Sequence, residues 1–199
     1  GIATDAPMAL QRMIPDYTAS LEASTEGACE DGACEPEHEV QASTDFAQCA
    51  RSGAKDCGTL PAIGATEWLN SLGEPHGTVT LVDFWSSSCV NCAREIPEVE
   101  RIYEKYKDAG LVVIGVHSPQ QAHEREASVV SGAASRLGIT YPVALDPELE
   151  AFKAYGANAW PTHYLAGPDG QLRSMGRGTS GLEEQIRTLL TEAGASLPN

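Results

Sequence analysis

The sequence predicts an α/β fold: a central sheet, parallel in its middle, flanked by helices and extended at one edge by antiparallel strands. Three observations predict it. Two continuous apolar runs, residues 78–85 and 111–117, read as strands covered on both faces. Between them, residues 91–107 place Ile96, Val99, Ile102, Tyr103 and Tyr106 at three- and four-residue steps, the period of an amphipathic helix. Strands that alternate with helices need crossover connections, which are right-handed and give parallel pairing.

The remaining elements follow in order. Residues 64–72 read as a short helix and 73–77 as a turn. Gly110 stops the long helix, inside which Pro97 should produce a kink. Residues 123–137 form a helix ending before Gly138, and 141–145 a short strand. Asp146 is a suitable N-cap for a helix over 147–155. Gly167-Pro168-Asp169-Gly170 is a hairpin turn joining strands at 162–166 and 171–175. Residues 182–192 form a closing helix.

Charge divides the chain near residue 60. Residues 1–60 hold 11 acidic and 3 basic side chains, about half of the net −15 in less than a third of the 199 residues. This stretch has few large apolar residues, and 22–39 reads as loop-like. We therefore expect an acidic, irregular N-terminal extension over 1–60 and a folded domain over 61–199. The negative charge excludes a general nucleic-acid binder, since no basic surface neutralises phosphates, and argues against attachment to anionic lipid. The longest apolar run, Leu111 to Val116, is far below the ~18 residues of a membrane span. The chain begins at Gly1, and the expectation is a mature or excised soluble part whose leader or membrane anchor has been removed.

The six cysteines stand at 29, 34, 49, 57, 89 and 92. An even number, four of them in an irregular acidic stretch, points to disulfides and an oxidising compartment; the alternative is scattered thiols in a cytosolic protein. Local bonds Cys29–Cys34 and Cys49–Cys57 are preferred among three possible pairings. Cys89 and Cys92 differ from these. They form Cys-Val-Asn-Cys where a strand gives way to a helix. Free N–H groups and the positive end of the dipole stabilise a thiolate there, and such cysteines reach pKa values several units below the free value of about 8.5. Cys89 should attack a disulfide, and the less exposed Cys92 should resolve the mixed disulfide. Half of a zinc site is the competing reading, but no second Cys-x-x-Cys exists and the histidines at 38, 76, 117, 123 and 163 have no metal-ligand spacing. His117, ending a central strand, reads as a structural histidine. No metal and no cofactor are expected.

The stretch Val82-Asp83-Phe84-Trp85-Ser86-Ser87-Ser88-Cys89-Val90-Asn91-Cys92 resembles the active-site strand and helix of thioredoxins. Glu95 and Pro97 in Cys-Ala-Arg-Glu-Ile-Pro resemble the extracytoplasmic branch of TlpA- and ResA-type thiol–disulfide reductases, as does the insert at roughly 119–142. The runs Gly-Val-His-Ser-Pro at 115–119 and Gly-Ile-Thr-Tyr-Pro-Val-Ala-Leu-Asp at 138–146 are most similar to the thioredoxin-like domain of DipZ-type proteins. The resemblance covers roughly 61–193. It implies a thioredoxin-like fold with an inserted strand–helix element.

It also implies site residues. Asp83 matches the buried acid of thioredoxins, where many TlpA-type proteins carry Asn, and could exchange a proton with Cys92. Glu95 matches the acid that follows the motif in ResA-like proteins. Pro161 matches the cis-proline that faces the redox pair; Trp160 and Trp85 would shape the substrate groove. The implied activity is reduction of oxidised protein substrates in the periplasm or at the outer face of the bacterial cytoplasmic membrane, with the chain membrane-anchored in its full-length form. Re-reduction would come from a membrane thiol donor of the CcdA/DsbD kind. Two alternatives stand beside it. A peroxiredoxin-like thiol peroxidase would want Pro and Thr shortly before the cysteine, where this chain has Ser86-Ser87-Ser88. A non-catalytic interaction domain would use Cys89–Cys92 as a structural bond.

Overall fold

A computed structural model describes residues 37–53, 56–71 and 73–198. Its compact unit runs from His38 to Asn199, ahead of the division drawn near residue 60. Six strands form one sheet: β1 (Trp68–Leu69), β2 (Val79–Trp85), β3 (Leu111–His117), β4 (Val143–Leu145), β5 (Thr162–Ala166) and β6 (Leu172–Gly176), in the spatial order β1-β4-β3-β2-β5-β6. β2, β3 and β4 are parallel neighbours, whereas β5, β6 and β1 run antiparallel to theirs. This is a thioredoxin-like fold.

Helix α2 (Val90–Tyr106) presents Cys92, Ile96, Val99, Ile102 and Tyr106 to the sheet, close to the periodicity of the sequence. With α3 (Ala127–Leu137) and α5 (Leu182–Glu192) it covers one face, packing on Val79, Leu81 and Trp85 of β2. The opposite face carries Val82 and Phe84 of β2 under α4 (Glu150–Ala154) and α1 (Glu37–Ser52). β2 is therefore apolar on both sides, which is why its sequence is a nearly continuous apolar run.

Several elements differ from the expectations. Residues 68–69 are strand, not helix: they pair with β4 at Ala144 and Val143, and Asn70 closes the segment by donating from Nδ2 to the carbonyls of Ile139 and Tyr141. The helix expected over 123–137 is broken at Glu126, whose extended backbone separates a 3₁₀ turn (Ala122–Arg125) from α3. Asp146 does cap α4, but from a distance: its carboxylate accepts the N–H groups of Ala151 and Phe152, while Leu149 occupies the N-cap position.

The irregular extension also needs correction over residues 37–52, which form α1. Over residues 45–52 it buries Phe46, Ala47 and Ala50, a set with one large apolar side chain, so apolar content alone does not reveal it. Phe46 stands edge-on to Tyr155 at 5.8 Å. Gly156, at φ +68, lets the helix backbone approach; a Cβ there would stand 2.5 Å from the Ala47 carbonyl oxygen. Cys49 and Cys57 are disulfide-bonded and tie α1 to the segment that follows it. Cys29 and Cys34 lie outside the described residues. Phe46→Ala should cost about 3–5 kcal/mol, the cost of truncating a core aromatic. Urea denaturation checks this, and a cost below about 1 kcal/mol would show that α1 is not part of the folded unit.

Candidate active site

β2 is held between β3 and β5, and its chain leaves the sheet at Trp85 through Ser86, Ser87 and Ser88. Cys89 is the N-cap of α2, and its Sγ accepts the Cys92 N–H at 3.1 Å. The two cysteines are disulfide-bonded, with Cys89 9 % and Cys92 1 % exposed. Their inequality has a simple origin. The N-cap position sits at the helix end, whereas Cys92 is on the inward face one turn on, beside Ile96 and Trp85.

Alternation along β2 turns Asp83 toward the face covered by α2. The antiparallel register sets His163 of β5 directly opposite it. His163 Nδ1 lies 3.1 Å from Asp83 Oδ1, an ion-pair contact without hydrogen-bond alignment, and its Nε2 lies 3.0 Å from Glu95 Oε2 on the second turn of α2. The exposed fractions of these side chains are 2 % for Asp83, 5 % for His163 and 23 % for Glu95, so the line of three groups runs from the interior to the surface. Burial opposes a charge on His163, but Asp83 and Glu95 outweigh it and push its pKa up to about 9. An imidazolium therefore lies between two carboxylates on the α2 side of the sheet. Tyr141 is also close to Asp83; burial and that carboxylate keep its phenol protonated.

The Trp160–Pro161 peptide bond is cis. Thr162 pairs with Phe84, so Pro161 falls one step further, beside the end of β2 from which the chain turns to Cys89. Trp160 is half-buried and stacks on Phe152 at 4.4 Å. Trp85 is fully buried, its ring meeting the edge of His117 at 4.8 Å. It packs beneath the redox pair and offers no face to a substrate, which corrects its expected place in the groove. Among the described residues no cluster of three or more His, Cys, Asp or Glu could hold a metal ion.

His163 is the residue that the sequence reading left without a role. Its only local signal is its place two residues after Pro161; its meaning comes from the register that sets it against Asp83.

A disulfide at a thioredoxin-like strand–helix junction, a buried acid on the strand that leads to it and a cis-proline just before the adjoining strand define the class: a thiol–disulfide oxidoreductase domain. More particularly, the chain belongs to the AhpC/TSA family, whose profile matches residues 60–175. It is 40 % identical over 216 residues to the protein DipZ of Mycobacterium tuberculosis, covering 98 % of this chain but 30 % of DipZ. It is 31 % identical over 139 residues to the thiol-disulfide oxidoreductase YkuV of Bacillus subtilis, covering 65 % of this chain and 91 % of YkuV. Among solved structures, a thioredoxin-like protein in its oxidised form superposes with a TM-score of 0.61 at 29 % identity, covering 68 % of this chain and 96 % of the other. The chain thus spans less than a third of DipZ and nearly all of YkuV.

The His163 cluster carries a pH signature. Between the unfolded value of 6.5 and about 9, the folded protein holds a proton that the unfolded chain has released. This stabilisation is complete below pH 6.5 and is lost as pH rises through 9; at about 1.4 kcal/mol per unit it amounts to roughly 3 kcal/mol. Chemical denaturation of the oxidised protein should show stability falling over that window. His163→Gln should flatten the fall and cost about 3–5 kcal/mol at pH 6, because Asp83 loses a buried partner.

Proposed function

We propose that this protein is an extracytoplasmic thiol:disulfide oxidoreductase that reduces disulfides in partner proteins. The observation that carries the reading is the Cys89–Cys92 disulfide at the N-terminus of α2, with the more exposed sulfur at the N-cap and the buried one beside the acid-bearing face of β2.

In the reduced protein the Cys89 thiolate, favoured by the helix N-terminus, attacks one sulfur of the substrate disulfide. That S–S bond breaks, a Cys89–substrate disulfide forms, and the first substrate thiolate leaves and takes a proton. Cys92 then gives its proton to Asp83 and attacks Cys89 Sγ. The second substrate thiol leaves and the Cys89–Cys92 bond remains. Two electrons have passed from the dithiol to the substrate. Glu95, joined to Asp83 through His163, connects this buried acid with solvent. Trp160 and Pro161 precede β5 at the end of β2 from which the chain turns to Cys89, and an extended substrate segment can align there by strand addition.

The cycle closes when a membrane dithiol donor of the CcdA/DsbD kind returns two electrons. The likeness to DipZ over 98 % of this chain supports that assignment, as does an acidic surface suited to protein rather than nucleic-acid partners. Among the described residues no helix is long and apolar enough to cross a membrane.

The test is reduction of a protein disulfide by the reduced chain. Cys89→Ser should abolish it, whereas Cys92→Ser should accumulate a mixed disulfide visible by intact mass. Asp83→Asn should slow resolution by on the order of 100-fold while leaving formation of the mixed disulfide near normal. Wild-type reduction by Cys89→Ser would overturn the proposal. A Cys89–Cys92 potential below about −300 mV would instead mark a structural bond. Rapid peroxide consumption with sulfenic acid at Cys89 would mark a peroxidase.

A further inference from the structure

We propose that Glu124 and His117 are positioning residues for Cys89: they clamp the Ser86–Ser88 turn that delivers the cysteine to the end of α2, and thereby set its reactivity. The proposal rests on the reading of Cys89 as the attacking thiol.

The turn is short, and two of its three residues are gripped. Ser86 is buried, and its hydroxyl donates to Glu124 Oε2 at 2.7 Å. The Ser87 backbone N–H donates to His117 Nε2 at 3.1 Å. The Ser86 carbonyl then accepts the Cys89 N–H at 3.1 Å, which passes the constraint to the cysteine itself.

Both clamping residues are unusual for their position. Glu124 is 0 % exposed although it lies in a short 3₁₀ turn. Its Oε2 also accepts the Gln120 N–H at 2.8 Å. Burial pushes its pKa up, but hydrogen bonds from the Ser86 hydroxyl and the Gln120 N–H hold it below the ordinary carboxylate value, so it stays ionised. A buried carboxylate at the entry to a reactive cysteine is costly unless its bonds are needed. His117 is equally constrained. A backbone N–H can only donate, so Nε2 must be the unprotonated nitrogen and the ring neutral. Burial agrees, lowering its pKa to about 4. The ring is held in place by β3, whose last residue it is, and by its T-shaped contact with Trp85.

The consequence concerns geometry. A thiolate gains from a helix N-terminus only while its sulfur stays within reach of the free N–H groups. Here the Cys92 N–H points at Cys89 Sγ. Nothing in the turn itself fixes that arrangement, since three serines have wide conformational freedom. The two side chains from the β3 end of the sheet supply the constraint, and catalysis is sensitive to displacements of this kind.

The experiment measures Cys89 in the reduced full chain by two readouts: its thiolate absorbance against pH, and its rate of attack on a small aromatic disulfide. Glu124→Ala and His117→Phe should each slow attack at pH 7 about 10-fold and raise the Cys89 pKa by about one unit. Glu124→Gln keeps an acceptor oxygen and His117→Gln supplies one in place of Nε2, so both should remain within about threefold of wild type. Unchanged rate and pKa in the folded Ala and Phe variants would overturn the proposal, as would Gln variants that are equally impaired. If Glu124→Ala or His117→Phe does not fold, Ser86→Ala removes one donor alone and should slow attack about threefold; no change would overturn it. An unreactive Cys89 in the wild type would instead strike the function proposed above.

Discussion

The register of β2 between β3 and β5 is the constraint on which the site depends. Pairing with β5 sets Asp83 against His163 and brings Pro161 to the end of the strand. Pairing with β3 sets Trp85 against His117 and fixes the place from which the Ser86–Ser88 turn departs. A slip of one residue on either side would turn His163 or His117 to the other face. Such a slip is prevented because β2 is buried on both faces and its two side-chain sets fit different cores.

Around this frame the structure handles charge in two opposite ways. On the β5 side, a buried imidazolium is tolerated because carboxylates lie at both ring nitrogens. On the β3 side, a buried histidine is kept neutral by desolvation, and a backbone N–H donates to its unprotonated nitrogen. The same residue type thus has its pKa moved to about 9 at one position and about 4 at the other. Partners decide the first case and desolvation the second. The cysteines lie between these regions, one at the helix end and one inside, and their different exposure gives them different chemistry.

Much of this fold was legible along the chain. β3 and α5 have the limits expected from apolar run and helical period, and β2 differs by one residue. These are elements whose burial is broad, so their patterns are strong. The failures share a cause. Trp68 and Leu69 have no period of their own and become strand only because β4 offers an edge. Helix α1 buries Phe46, Ala47 and Ala50, too few large apolar residues for composition to mark a helix. Asp146 reaches over four residues to cap α4, a reach that spacing rules do not contain.

The sequence by itself determined the α/β class, the order of the main elements and the placement of a Cys-x-x-Cys at a strand-to-helix junction. These depend on local periodicity and on neighbours within a few residues, which a linear chain records. Only the tertiary structure decided which histidine is charged and which is neutral, that Glu124 is buried, and that Trp85 lies beneath the disulfide rather than beside a substrate. Those properties arise between residues about 30 to 80 positions apart, through strand register and burial. Desolvation and the partners it selects exist only once the sheet has closed around them.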